Sequence, residues 1–277
     1  MKKQFNLWFL TKIVVLGCFL LFTVFPLYWI FVTSLKPRKD MFTLPLQYWP
    51  KELTFDNYVN IFGISSFGTY IVNSLIVSAV AGLFSLLIAI LSGYVLARFH
   101  FKGKNQVIFA FLITQMIPIF IALAPLYLLM SKLQLLNRLP SLMLIYTVMM
   151  IPFCTIIMKG FFERIPSTLE EAAMIDGCSR LTALFKVIIP VMLPGITATF
   201  IFAFVQCWNE LFLAVMFIDE EGSKTIPVAM NSFISKFDID WGAMSAATVL
   251  SVIPTLLLFA FAQKYIVEGM TQGSVKG

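Results

Sequence analysis

Six runs of residues, each long enough to cross a lipid bilayer, limit what this sequence can fold into. A helical span needs about 20 apolar residues to cross the hydrocarbon core, and Glu210 is the only charged residue in any of these runs. Only helices and closed barrels pair every backbone group in lipid, and the alternating pattern of barrel strands is absent. The sequence therefore predicts an all-α polytopic membrane protein with six transmembrane helices, at residues 13–32, 70–97, 106–130, 139–158, 195–218 and 241–263.

Lysine and arginine predict the orientation of these spans. Twelve of the 20 cations fall on the side that holds both ends of the chain, against five acidic residues, and the other side is balanced. Since cytoplasmic loops carry the excess of Lys and Arg, we expect both termini and residues 166–194 to be cytoplasmic. The net charge of +6 is modest, so no nucleic-acid partner is expected.

Lysines 2 and 3 before an apolar run also fit a secretory signal. The run is as long as a full span, however, and no small-residue cleavage site follows it. We therefore expect residues 13–32 to form the first transmembrane helix.

The sequence has few residues that could bind a metal ion or a nucleotide. His100 is the only histidine, which excludes multi-histidine metal sites. The pair Gly103-Lys104 lacks a phosphate loop's earlier glycine, since Arg98 stands there, and no Ser or Thr follows it. Three of the four cysteines lie inside spans, so no paired-cysteine metal site is available. We expect no catalytic residue, metal or cofactor in this chain.

Prolines lie inside the third, fourth and sixth spans. A proline removes one helical hydrogen bond and tends to kink the helix. Two interpretations stand: the prolines are hinges of a moving pathway, or their kinks only shape the bundle. The hinge candidates are Pro118, Pro125, Pro152 and Pro254.

A polar cluster, Gln206, Asn209 and Glu210, lies inside the fifth span. In a continuous helix Gln206 and Glu210 share one face, and an ionised group facing lipid is costly. The cluster predicts a pathway lining or a gate between subunits; the alternative is a hydrogen-bonded clamp between helices. Because no other span carries a Lys or Arg at mid-depth, the partner of Glu210 must be a polar side chain, water or another subunit.

The loop between the fourth and fifth spans is amphipathic. Ser167 and Glu170 have the spacing of a capping box, and Gly177 fits the left-handed residue that ends a helix. Ser179 then begins a second helix. From its amphipathic pattern alone, this helix could rest on lipid headgroups or on another protein. We expect its apolar stripe to pack on the bundle: Leu181, Leu184, Phe185 and Ile188.

Within this loop, residues 171–173 read Glu-Ala-Ala, Gly177 follows, and residues 187–190 read Val-Ile-Ile-Pro. This spacing resembles the EAA loop in permease subunits of ABC importers. Val187 and Ile189 are conservative departures from the family pattern. Other features are similar to the carbohydrate branch that includes the maltose-type permeases: residues 34–36, Trp49-Pro50 with Thr54, Asn57 and Tyr58, Asn73-Ser74, residues 208–210, and the last five residues.

The resemblance implies a type I importer half in a bacterial or archaeal cell membrane. It divides the chain into a first helix and outside loop (1–68), a transmembrane domain with the coupling loop 166–194 (69–264), and a cytoplasmic tail (265–277). It implies these partners: a second, different permease, two ATP-binding subunits that bind ATP and Mg²⁺, an extracytoplasmic sugar-binding protein, the sugar itself and membrane lipid.

Two groups of residues are implied to contact the ATPase, which would drive alternating access. The coupling residues are Glu170, Glu171, Ala172, Ala173, Asp176 and Gly177, and the tail residues are Gly273, Ser274, Val275, Lys276 and Gly277. Two alternatives remain: an ABC permease for a non-sugar cargo such as a peptide or phosphodiester, and an ion-driven secondary carrier. A membrane enzyme is a third and weaker one, since no nucleophile and base pair is found.

Overall fold

The computed structural model describes residues 7–64, 66–234 and 239–272. Within these ranges every regular element is helical, apart from one isolated bridge between Ile234 and Ile239. The predicted all-α class is confirmed. The helices are α1 (Leu7–Ser34), α2 (Asp56–Ile64), α3 (Phe67–Arg98), α4 (Lys104–Met116), α5 (Ile119–Lys132), α6 (Leu139–Arg164), α7 (Ser167–Ile175), α8 (Arg180–Ala183), α9 (Ile189–Val191), α10 (Leu193–Trp208), α11 (Phe212–Phe217), α12 (Ile226–Ser232) and α13 (Trp241–Gln272).

Within the described residues, four single helices are long and apolar enough to cross a membrane: α1, α3, α6 and α13. Two further spans arise only if bent helix pairs are counted as one each, namely α4 with α5, bent by 95°, and the segment Arg180–Val191 with α10, bent by 79°. With each bent pair counted as one span, the described part of the chain has up to six spans, two of them broken.

The third predicted span, 106–130, is not one helix. It breaks at Ile117, which adopts an extended backbone, and α5 begins directly after Pro118. The ring of a proline disfavours helical backbone at the preceding residue, so Pro118 is the physical cause of the break. The other hinge candidates, Pro125, Pro152 and Pro254, lie inside α5, α6 and α13.

The fifth predicted span, 195–218, is also interrupted. Helix α10 ends at Trp208 and α11 begins at Phe212, with Glu210 in the connection. Gln206 and Glu210 therefore do not share one continuous helical face, and that prediction is wrong. The physical reason is local capping of α11 by Glu210, as its contacts below show.

The chain divides into two compact units, residues 1–67 with 230–253, and residues 68–229 with 254–277. In the first unit, the amide of Asn57 donates to the carbonyl oxygens of Ser34 and Lys36, each at 2.9 Å. The Nζ of Lys36 donates to the carbonyl oxygen of Gln47 at 2.6 Å, and burial lowers the pKa of this amine. These bonds order the segment that follows α1.

The second unit has two apolar clusters. One surrounds Tyr146, Cys207 and Phe217; the other surrounds Met158 and Phe162 and includes residues of α3, α6, α10 and the 184–192 region. Buried residues of the loop between α6 and α10, such as Leu184 and Ile188, belong to this second cluster. Their packing fixes the orientation of the loop relative to α3 and α6.

The start of α3 in this unit is fastened to the segment after α11. The amide of Asn73 donates to the carbonyl oxygens of Gly222 (3.0 Å) and Lys224 (2.9 Å). The hydroxyl of Tyr70 donates to the carboxylate of Glu221. Hydrogen bonds from Lys224 and then from Tyr70 hold the pKa of Glu221 below its usual value.

We expect Gly93→Val to destabilise the second unit strongly, because α3 and α6 touch at this glycine. A Cβ atom there would lie 2.9 Å from the backbone nitrogen of Lys159 and 2.9 Å from the Cβ of Met158. Overpacking of this kind costs about 1–3 kcal/mol or more. Gly160→Val is the matched control, since a Cβ on Gly160 meets no atom within 4 Å. Thermal unfolding midpoints in detergent measure both variants, and equal midpoints would contradict the predicted contact.

Candidate functional site

The amphipathic loop begins with α7, but not through the predicted capping box. The residue before the helix is Pro166, and no side chain caps this end. Glu170 points inward instead and is only 4% exposed. The capping-box prediction is wrong because Glu170 meets a cation in the protein interior.

Glu170 lies in a polar cluster with the end of α3. Its Oε2 is 3.2 Å from the Nε of Arg98, and its other oxygen accepts a hydrogen bond from the hydroxyl of Tyr94. Arg180, which is half exposed, approaches it at 3.8 Å. Arg98 also donates from Nη2 to the carbonyl oxygen of Ile165 at 2.8 Å. Sequence reasoning placed Glu170 among the ATPase contacts and missed this cluster. The only sequence signal was a cation, Arg98, at the end of a span.

The end of α7 follows the predicted glycine stop. Gly177 has φ +89°, in the left-handed region. The amide of Cys178 donates to the carbonyl oxygen of Ala173 at 3.0 Å, and that of Gly177 donates to Met174 at 3.1 Å. This pair of bonds is the Schellman motif, which satisfies the last carbonyls of a helix. The left-handed glycine prediction is confirmed.

The second half of the loop starts as predicted and packs differently. Ser179 caps α8 by accepting from the amide of Thr182 at 3.2 Å. A π-helical turn, Leu184–Ile188, joins α8 to α9. Leu184 and Ile188 are fully buried, so packing on the bundle is confirmed for them.

Leu181 and Phe185 do not pack on the bundle as predicted, since they are 62% and 56% exposed. Ala183, by contrast, is fully buried. The buried strip is therefore rotated by about one residue from the stripe drawn through the larger side chains, because a small residue fits closest to the bundle.

The predicted coupling residues separate into two sets. Glu170 and Ala173 are buried, and the remaining four are exposed. Ile175, which was not among the predicted coupling residues, is 86% exposed on the same helix. The four exposed coupling residues, together with the exposed apolar residues Ile175, Leu181 and Phe185, form a surface that we call the loop face. Its members are Glu171, Ala172, Ile175, Asp176, Gly177, Leu181 and Phe185.

The polar cluster of the fifth span is brought together with α6. Glu210 accepts a hydrogen bond from the hydroxyl of Tyr146 at 2.6 Å. It also accepts from the backbone amides of Leu213 at 2.9 Å and Ala214 at 3.1 Å, at the start of α11. Its partner is thus a polar side chain, one of the predicted possibilities.

Gln206 and Asn209 are exposed and are not drawn into the contacts of Glu210. The amide of Asn209 donates to the carbonyl oxygen of Val205 at 2.9 Å. The predicted tail contacts, Gly273, Ser274, Val275, Lys276 and Gly277, lie outside the described residues.

Comparison with curated proteins gives relatives along nearly the whole chain. The diacetylchitobiose uptake system permease protein DasC of Streptomyces coelicolor is 39% identical over 254 residues, covering 92% of this chain and 92% of that protein. The sulfoquinovosyl glycerol transport system permease protein SmoH of Agrobacterium fabrum is 36% identical over 254 residues, covering 92% of this chain and 89% of that protein. Both relatives are permease proteins.

Solved structures share the fold. A chain of a bacterial ABC transporter involved in the import of the acidic polysaccharide alginate superposes with a TM-score of 0.80 at 22% identity, covering 96% of this chain and 98% of that chain. This match shows the helical fold of an ABC importer's transmembrane component.

The family model for "Binding-protein-dependent transport system inner membrane component" matches residues 85–272. That range contains α7, the loop face and the Glu210 contacts. The chain belongs to this family, the permease components of ABC transporters.

Proposed function

We propose that this chain is the permease subunit of an ATP-driven importer of sugars, with oligosaccharides as the expected class. It forms half of the translocation pathway in a cell membrane, with both termini in the cytoplasm. The observation that carries the proposal is the loop face: an exposed, partly apolar surface held on the bundle after the end of α6.

The loop face has the chemistry of a protein docking site. Ile175, Leu181 and Phe185 expose apolar side chains, and burying such surface against a partner is favourable. Glu171 and Asp176 add carboxylates that fit basic groups. We propose that the partner is a separate ATPase, which binds ATP and Mg²⁺ and hydrolyses the nucleotide.

Transport then follows alternating access. Closure of the ATPase dimer moves the loop face, and the bundle opens outward to receive sugar from an extracytoplasmic binding protein. Coupling of this kind requires an element with two discrete states that both sites bias. A second, different permease supplies the other half of the pathway, and the prolines at 118, 125, 152 and 254 are candidate hinges.

Gln206 and Asn209 extend the proposal to the pathway. Both amides are exposed on this chain, and polar groups facing lipid are unfavourable. We therefore assign them to the surface that faces the second permease or the pathway.

The tail, residues 273–277, is proposed to contact the ATPase, in addition to the loop face.

The sugar cargo is supported by the relatives. Their names specify diacetylchitobiose, sulfoquinovosyl glycerol and, for a relative from Mycobacterium tuberculosis that is 32% identical over 258 residues, trehalose. A distantly similar alginate transporter is solved in complex with a pentasaccharide-bound periplasmic protein. These cargoes share hydroxyl-rich rings.

The test is to purify the chain with its associated proteins and measure ATP hydrolysis with the binding protein and one solute at a time. Diacetylchitobiose, trehalose and sulfoquinovosyl glycerol form the sugar arm, and a dipeptide and glycerophosphodiester form the other. We expect one sugar to stimulate hydrolysis severalfold. Stimulation by the dipeptide or phosphodiester alone would contradict the cargo, and an active carrier without any ATPase would contradict the whole proposal.

A further inference from the structure

Three side chains, Tyr94, Arg98 and Glu170, join the end of α3 to α7. We call this group the clasp. Glu170 is buried, Arg98 is nearly so, and the carboxylate is met by a guanidinium at 3.2 Å and by a phenol hydroxyl. Arg98 continues the chain of contacts to the carbonyl oxygen of Ile165, just before α7 begins. The helix is thus fixed at its first turns by polar contacts to one span.

Stability alone does not account for an ion pair at this place. Burying a carboxylate is unfavourable unless it is paired, and well-packed apolar residues are often at least as stable as a buried ion pair. The Nε of Arg98 makes no hydrogen bond, so its contact with Glu170 is electrostatic. Direction comes from two hydrogen bonds, from the hydroxyl of Tyr94 to Glu170 and from the Nη2 of Arg98 to the carbonyl oxygen of Ile165. The clasp therefore specifies where α7 lies relative to α3.

The span behind the clasp is packed against α6 without a gap. Gly93, next to Tyr94, places the two backbones so close that a Cβ would meet Met158 and Lys159. The ring of Tyr94 lies 5.5 Å from that of Phe162, edge to face. The clasp therefore connects α7 to α3 directly and, through Tyr94, to α6.

We propose that the clasp is the positioning element that transmits movement of the loop face to the transmembrane bundle. Glu170 does not contact the ATPase; it holds α7 so that the neighbouring Glu171 faces outward. Arg180, at 3.8 Å from the same carboxylate, is an alternative cation for Glu170 when α7 moves. This inference rests on the proposed coupling to an ATPase and deepens it.

The test measures transmission directly, in the complex purified with its ATPase subunits and placed in lipid nanodiscs. Cys18 and Cys178 are replaced by serine, and Gln206→Cys supplies a reporter on α10, at the surface assigned above to the second permease or the pathway. The labelling rate of this cysteine with a maleimide is measured without nucleotide and with ATP plus vanadate. With an intact clasp we expect the two rates to differ by about fivefold.

Glu170→Gln should reduce that difference to less than about 1.5-fold, while ATPase subunits still co-purify and hydrolyse ATP. Glu163→Gln is the matched control. It removes a carboxylate that pairs with Lys159 at 2.7 Å on the exposed side of α6, and it should leave the fivefold difference unchanged.

A full ATP-dependent difference in Glu170→Gln overturns the clasp and leaves the proposed function standing. No difference with an intact clasp overturns the proposed alternating access and the clasp with it. If the complex with Glu170→Gln does not assemble, the same labelling experiment is done with Arg98→Lys. This substitution keeps the positive charge but removes the guanidinium group, and with it the bond to the carbonyl oxygen of Ile165. A normal response in Arg98→Lys overturns the proposal, and a reduced response in an assembled complex supports it.

Discussion

Gly177→Val should abolish most sugar uptake while the chain still inserts in the membrane. Gly177 holds φ +89°, and left-handed backbone costs an ordinary L-residue about 1–2 kcal/mol, more for a β-branched one. The substitution breaks the Schellman bonds at the end of α7, so Glu171 and Ile175 no longer present one fixed surface to the ATPase. We expect uptake to fall by about tenfold or more, measured with the sugar that stimulates ATP hydrolysis.

Gly103→Val is the matched control for backbone strain. Gly103 also has a left-handed backbone, φ +94°, and open space around it, but it precedes α4 and is not part of the loop face. It should reduce uptake far less. A companion variant, Glu171→Lys, tests the charge of the loop face and should impair uptake without backbone strain. Normal uptake in both Gly177→Val and Glu171→Lys would rule out the coupling role.

The second large effect is expected at Glu210. Glu210→Ala removes the acceptor for the hydroxyl of Tyr146 and for the amides of Leu213 and Ala214. Hydrogen bonds to a charged group contribute about 1.5–3 kcal/mol each, and the donors left behind in the bundle are unsatisfied. We expect the free energy of unfolding to fall by about 3 kcal/mol or more, read as a lower unfolding midpoint of the purified protein.

Two variants separate the clamp from a pathway role for Glu210. Tyr146→Phe removes one of these bonds and should produce a smaller loss of stability. Gln206→Ala changes an exposed amide on α10, before the break that holds Glu210, and should leave the midpoint unchanged. An unchanged midpoint in Glu210→Ala with lost transport would contradict the clamp and assign the residue to the pathway.

Local chemistry explains which features were predictable from the sequence. Span positions follow from the length of the apolar runs. The stop at Gly177 and the restart at Ser179 follow from residues that act within one helical turn. The break at Ile117 was also predictable, because a proline restricts the residue before it. A hinge or a kink was predicted there instead of a break.

Long-range contacts explain the rest. Tyr94 and Glu170 are 76 residues apart in the chain. The residues next to Glu170 do not indicate that its carboxylate contacts Tyr94 and Arg98. The interruption after Trp208 carries no proline or glycine. It depends on Glu210 meeting Tyr146 and capping α11, which only the assembled bundle reveals. Both misinterpreted glutamates were assigned by local spacing, and both are placed by tertiary contacts.

Site-specific photo-crosslinking tests the central claim, that the loop face docks on a separate ATPase. A benzoylphenylalanine at Ile175, the most exposed large residue of the loop face, is irradiated in intact membranes. The same group at Val148, exposed on α6 within a span, is the control. Docking predicts a crosslink from position 175 to an ATP-binding subunit and none from position 148. Crosslinks from position 175 to lipid alone, in membranes that still transport sugar, would contradict the account.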